Sequence, residues 1–278
     1  MNAANILAEN ARYIQTEHLR ASQLCDGLLK ETADACLASG TDPVQMYKSV
    51  MGEDVCTPAF AKYCEYICAH DHKATIGNFL PEGVEIGSMP DVASISYQQN
   101  QHSDRAYCRF ADGMKGAQPV VHPTTAAVCE EVHYGRCSHC ILPIYSSQDG
   151  IFTAFTKLMN KYDLVINAAC DVTMPDGDSV MRFALLRREL ALPDSDVCYV
   201  QFNAVLPETI SLASLLTACE AIGAHTAEMI TSPLAYTMDH ISYTIRLKIA
   251  RSTLSALLML LHTVLENYSL DGIFSIIQ

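Results

Sequence analysis

Between residues 197 and 278, strand and helix patterns follow one another as βαββαβ, an order that few folds accept. Val197–Leu206 reads as a strand, and Ile210–Ile222 as a helix that stops near Gly223. His225–Ser232 and His240–Ile249 read as two strands across a turn, Arg251–Asn267 as a helix and Gly272–Ile277 as a last strand. That is the split-βαβ, ferredoxin-like arrangement, an α+β fold. It restricts topology strongly and activity hardly at all.

The preceding stretch, 93–192, alternates differently. Val92–Tyr97, Cys140–Ile144, Leu164–Ala168 and Val180–Leu186 are strand-like, whereas Thr124–Tyr134 and Gly150–Lys161 are helix-like. Strands alternating with helices predict an α/β unit with a mostly parallel sheet. Residues 1–75 read as helical: Leu24, Leu28, Leu29 and Leu37 recur at helical spacing, Gly40 is a stop, and Thr41-Asp42-Pro43 and Thr57-Pro58 are starts. Residues 76–92, with Gly77, Pro81, Gly83, Gly87 and Pro90, read as a linker. The expected domains are therefore 1–75, 93–192 and 197–278.

The chain has 278 residues, half of them hydrophobic and 18% charged, enough to build real cores. Its formal net charge of −13 argues against nucleic acid and against anionic membranes, which both need clustered Lys and Arg. An anionic ligand would need a local basic pocket against this global field. Leu254–Leu265, the most apolar stretch, is broken by Ser255, His262 and Thr263 and is shorter than the ~20 residues that span a bilayer, so it predicts a buried helix. Met1–Leu7 has no basic n-region before an apolar run, and a cytoplasmic location is expected. Twelve scattered cysteines suit buried thiols in a reducing compartment. Cys137-Ser138-His139-Cys140 is a single CxxC; His133 and Cys129 could complete a metal set, but packing is the favoured reading and no metal or cofactor is expected.

Several short motifs, in order, resemble the prephenate dehydratase family. Tyr97-Gln98 matches the Tyr-Gln that begins the family fold. Leu142-Pro143-Ile144, Ser147 and Gly150 match a segment written Leu-Pro-Ile-Glu-Asn-Ser…Gly, with Tyr145 and Ser146 in place of Glu and Asn. Arg182-Phe183 matches the end of Thr-Arg-Phe, and Met181 stands where the family has its catalytic threonine. The tail resembles an ACT domain, the family's small-molecule sensor. The resemblance covers roughly the last two-thirds of the chain. It implies a periplasmic-binding-like fold of two α/β lobes with prephenate between them. Here only Asn167–Ser179 joins the strands that would flank the second lobe, with a turn at Pro175-Asp176-Gly177, so a truncated single lobe is expected.

The resemblance implies a protein of aromatic amino acid (phenylalanine) metabolism, regulatory or ligand-binding, with weak or no catalysis. Two alternatives stay open: an active dehydratase completed by another domain or subunit, and a structural module that dimerises through the ACT domain. Candidate catalytic residues are Ser146, Ser147 and Arg182, with Thr153 a further hydroxyl. Ser146 and Ser147 also suit a strand-to-helix cap. Candidate ligand residues of the ACT-like region are Pro207, Glu208, Thr209 and Ile210, where the family has a glycine-bearing turn, and Thr231 and Ser232 of Ile230-Thr231-Ser232-Pro233. The implied ligand is an aromatic amino acid or a prephenate-like carboxylate, and the implied partner a second copy of the chain. His102, Arg105 and Arg109 form an anion site or, the favoured reading, a solvated helix face. Arg12, Arg20 and Lys30 are the only candidates for a chorismate mutase-like carboxylate set, and their spacing favours helical packing or a dimerisation arm.

Overall fold

The computed structural model describes residues 3–88, 90, 92–114, 116–175, 177–233 and 241–277, with side chains from Tyr13 onward except those of His18 and Pro233. Three helices come first: α1 (Ala3–Ser39), α2 (Pro43–Met51) and α3 (Pro58–His70). The Asp42 and Thr57 side chains accept the backbone N–H of Gln45 and Phe60, and the proline after each sits at the first helical position, where a missing N–H costs nothing.

The middle region runs β1 (Ser94–Gln98), α4 (Gln101–Asp112), β2 (Gln118–His122), α5 (Thr125–His133), β3 (His139–Ser146), β4 (Gly150–Ile151), α6 (Thr153–Lys161), β5 (Val165–Thr173) and β6 (Val180–Arg187). The last region runs β7 (Val197–Val205), α7 (Leu212–Ala221), β8 (His225–Pro233), β9 (Ile241–Ala250), α8 (Leu254–Val264) and β10 (Tyr268–Ile277). This is the expected βαββαβ order; β8 starts at His225 as predicted, and the predicted start of the next strand, His240, lies outside the described residues. The short β2 and β4 were not legible in the sequence pattern.

All ten strands among the described residues belong to one sheet, in the order β2-β1-β3-β6-β5-β10-β7-β9-β8, with β4 paired to β3. The sequence pattern predicted a mostly parallel middle region, and this is corrected. β1 is parallel to β2 and β3, but β6 runs antiparallel to both β3 and β5. Residues 174–179 are too few for a crossover, which takes a dozen or more, so β6 has to return as a hairpin. Within the last region the order β10-β7-β9-β8 is wholly antiparallel, the strand order of a split-βαβ unit. β10 is also parallel to β5, which makes the sheet continuous.

Both sheet faces carry cores. Along β10, Ile273 and Ile277 point one way, Phe274 and Ile276 the other. On the first face α4 covers β1, β3, β5 and β6, while α7 and α8 cover β7–β10. α3 packs outside α7 and α8 and buries Phe60, Tyr63, Cys64 and Ile67. On the second face α5 and α6 cover the middle region only. Leu257, Leu258, Leu260 and Leu261 of α8 are out of solvent, each contributing about 1.5–3 kcal/mol of burial.

The span read as a linker is tied to the body: Phe79, Leu80 and Val84 are half-buried, and Ile86 bridges Leu190. α1 is buried at Leu29, Ala33 and Cys36 and exposes Tyr13, Ile14, Leu19 and Leu24. No described helix is long and apolar enough to cross a membrane.

Candidate ligand-binding site

The β5–β6 hairpin sets Asp171 opposite Arg182. Arg182 donates Nε to Oδ1 at 2.7 Å and Nη2 to Oδ2 at 2.9 Å, a two-pronged charge-assisted pair. Its guanidinium lies 5.5 Å from the centroid of the Tyr145 ring. Burial works against the Arg182 charge, but Asp171 outweighs it and the pKa lies above the ordinary arginine value.

Pairing of β5 with β10 is described as far as Cys170 with Ile277. Beyond it, two carbonyls of β5 accept from α4: Arg109 Nη1 reaches Asp171 O at 2.5 Å, and Arg105 Nη1 reaches Thr173 O at 3.3 Å. A cleft of about 470 Å³ opens beside them, lined by Arg109, Asp171, Arg182, Tyr199 and Lys248 among others. Arg109 also lines a neighbouring cleft of about 510 Å³ with Arg105, Asp104 and Cys108. Among the described residues neither Arg109 nor Lys248 has a carboxylate partner. Three cations thus surround the first cleft against one carboxylate. Such an arrangement can hold a small carboxylate, with a guanidinium presenting paired donors and Lys248 a point charge.

The other proposed catalytic groups stand elsewhere. Ser146 Oγ accepts the backbone N–H of Gln148 at 3.1 Å and of Asp149 at 3.4 Å, closing the turn into β4. Ser147 Oγ accepts the N–H of Val180 at 2.9 Å, pinning the start of β6. Met181 lies against the cluster of Ile95, Tyr97 and Phe183 under α4, on the face opposite Arg182. Ser146, Ser147 and Met181 do not line the clefts around Arg182. Thr153 lines a different cleft, beneath α6.

The turn Pro207–Ile210 is closed by Ile210 N–H to Pro207 O at 3.0 Å, and Ser211 caps α7 through Ser214 N–H. Pro207, Glu208 and Ile210 line a cleft of about 460 Å³ with Ile241 and Tyr243, and Thr209 is exposed in the turn. Thr231 pairs with Tyr243 across β8–β9. Ser232 pairs with Ser242 and lines the cleft beneath α6, so the ligand residues proposed for this region divide between two clefts.

His102 has a buried Nδ1 without a partner. Arg20 is exposed and paired with Glu17, Lys30 is exposed on α1, and the Arg12 side chain lies outside the described residues. All twelve cysteines are free thiols, and Cys129, Cys137 and Cys140 are buried. Among the described residues no three His, Cys, Asp or Glu side chains are grouped to hold a metal ion.

Asp171 and Lys248 escaped the sequence reading. Asp171 carried a usable signal: counting outward equally from a turn at 176–177 sets it opposite Arg182. Lys248 carried none, since only the folding of the last region against the hairpin brings it near.

No protein-family model and no curated protein matches the chain. Solved structures do. Prephenate dehydratase from Streptococcus mutans aligns with 67% of this chain and 100% of its own, at 16% identity and a TM-score of 0.54. GqqA, described as a novel type of quorum-quenching acylase, aligns with 65% of this chain and 94% of its own, at 19% identity and 0.51. Prephenate dehydratase from Arthrobacter aurescens, in complex with L-Phe, aligns with 66% of this chain and 90% of its own, at 15% identity and 0.51. Over about two-thirds of its length, this chain has a fold like that of the prephenate dehydratases.

Proposed function

We propose that this chain is a divergent, single-lobed relative of the prephenate dehydratases that binds a small carboxylate and serves a regulatory role, with little or no catalysis. In this reading 93–192 is the surviving lobe, 197–278 an ACT-like module, and 1–75 a helical addition. The ligand is an aromatic amino acid or a prephenate-like acid, the location cytoplasmic, and the assembly a homodimer through the ACT-like module.

The observation that carries the reading is the charge around one cleft. Among the described residues Arg109, Arg182 and Lys248 face one carboxylate, Asp171, in a chain of formal net charge −13. Three features support weak catalysis. Met181 has no hydroxyl to donate, Ser146 and Ser147 hold turns, and residues 174–179 leave no room for a facing lobe. L-Phe in the Arthrobacter aurescens neighbour supports the ligand class.

Two measurements on the purified chain test this. Calorimetric titration with prephenate and with L-phenylalanine should give binding to at least one of them, and Arg109→Ala and Lys248→Ala should each weaken it about tenfold or more. Incubation with prephenate should give no phenylpyruvate above the uncatalysed rate. Turnover at an ordinary enzymatic rate would overturn the regulatory reading in favour of an active dehydratase. A flat titration with both ligands would favour the structural module.

A further inference from the structure

The faces of β7, β9 and β10 turned away from α7 and α8 carry a buried chain of polar groups. Asp271, 3% exposed, accepts from Gln201 Nε2 at 2.8 Å and from Asn203 Nδ2 at 2.6 Å. Gln201 Oε1 accepts from Arg246 Nε at 2.9 Å and Nη2 at 2.6 Å, and Arg246 Nη1 donates to Glu228. A carboxylate only accepts, so Asn203 has to turn its NH₂ to Asp271 and its carbonyl the other way. That carbonyl takes the hydroxyl proton of Thr244. Thr244 has a single proton, and with it directed at Asn203 the oxygen is left as an acceptor. The buried carboxylate thus sets the polarity of the Thr244 hydroxyl, two hydrogen bonds away.

Asn203 and Thr244 form one wall of a cleft of about 560 Å³, within the range of small-molecule sites. The facing wall is α6. Thr153, Thr156, Lys157 and Asn160 recur at i, i+3, i+4 and i+7, a single stripe turned to the sheet, while Phe155, Leu158 and Met159 pack into the apolar cluster on β3 and β5. A helix and a sheet that meet ordinarily exclude water with apolar side chains. Here polar side chains stand on both walls of an open cleft, with Ile151, Ala204, Val205, Ile230 and Tyr268 among them. Lys157 has no ion pair among the described residues, and nothing beside it in the cleft lining is acidic.

We infer that the cleft between α6 and the open sheet face binds a compact zwitterion. Its amine donates to Thr244 Oγ1 and its carboxylate lies at Lys157. The site is separate from the Arg109–Arg182–Lys248 cleft and from the Pro207–Ile210 turn, shares Ser232 with the candidate ligand residues of the last region, and does not depend on the regulatory reading.

The test is calorimetric titration of the intact chain with the common α-amino acids and with glycine, β-alanine, 4-aminobutyrate and 5-aminovalerate as spacers of graded length. Propionate, which lacks the amine, and trimethylglycine, which has no N–H, serve as controls. In an Arg109→Ala background, which weakens the carboxylate cleft described above, at least one zwitterion should bind, neither control should, and adding Thr244→Val or Lys157→Gln should weaken binding tenfold or more. Lys157 is on the surface, so its substitution is readable even if Thr244→Val disturbs folding. Absence of binding by every zwitterion in that background, equal binding of trimethylglycine, or undiminished binding after adding Lys157→Gln would overturn the inference.

Discussion

Ile276 stands beside Ala169 in a parallel ladder, and this contact fuses the last strand of the chain's βαββαβ region to the hairpin strand β5. The junction relies on Gly272, which pairs with Ile166. A Cβ there would lie 2.3 Å from the Ile166 carbonyl oxygen and 2.7 Å from its Cβ.

Backbone cannot yield to that contact as a flexible side chain could. Gly272→Ala should therefore cost about 1–3 kcal/mol, the usual penalty of overpacking. Urea denaturation followed by far-UV circular dichroism checks it. The parent should unfold in one transition, because β5 and β10 share a ladder, and the variant at a lower midpoint. A midpoint equal to the parent's would mean that the strands need not approach so closely.

Asp171 holds Arg182 in place and also cancels its charge. Asp171→Asn should raise affinity for prephenate or phenylalanine several-fold by removing the only carboxylate that lines the cleft among the described residues. It should also lower stability by about 1–2 kcal/mol, since the charged hydrogen bonds are weakened. Titration calorimetry and urea denaturation read the two effects separately. A fall in both would show Asp171 to be part of the ligand contact itself.

Restoring the hydroxyl at the position of Met181 should not restore turnover. A threonine there would lie among Ile95, Tyr97 and Phe183, on the face opposite Arg182. Met181→Thr is expected to give no phenylpyruvate from prephenate in a continuous absorbance assay. A measurable rate in the variant alone would show that side chain to be what limits turnover.

Asp271 and His139 titrate with opposite consequences. Burial raises the Asp271 carboxyl from 3.8 to about 6, against the hydrogen bonds from Gln201 and Asn203 and the charge of Arg246. Between those two pH values the folded state keeps a proton that the unfolded chain has lost, so this group's contribution to stability falls as pH rises from about 4 to about 6. The span of about two pKa units corresponds to roughly 2–3 kcal/mol. The parent should lose about that much relative to Asp271→Asn across the window, measured by urea denaturation at each pH. Burial, with a smaller effect from Arg187, lowers His139 from 6.5 to about 4. Its folded pKa is depressed, so its contribution is full above about 6.5 and is lost as pH falls toward 4. His139→Gln should flatten that acid limb.

Part of the candidate site was legible at the level of single residues. Arg182 stood out by its motif, Arg105 and Arg109 by their helical spacing, and Asp171 was recoverable from the turn. The assignment of Ser146 and Ser147 to chemistry was not supported by their contacts, because a hydroxyl at the end of a strand finds backbone N–H groups close by and serves them first. The solvated face expected for Arg105 and Arg109 is half right. Arg105 is exposed, while Arg109 is half-buried over the end of β5.

By itself the sequence determined the order of the longer strands and helices, the shortness of the β5–β6 connection and the faces that had to be buried. Those signals are local: period two, period 3.6, and turn residues a few positions apart. Only the tertiary structure decided that β10 adds to β5, because a strand edge is matched by backbone groups that every residue carries and no side-chain pattern encodes. It alone decided, too, that the polar alternate residues Asn203 and Thr244 face the polar stripe of α6 instead of open water. Alternation states that a face is polar; what stands opposite that face depends on how distant segments pack.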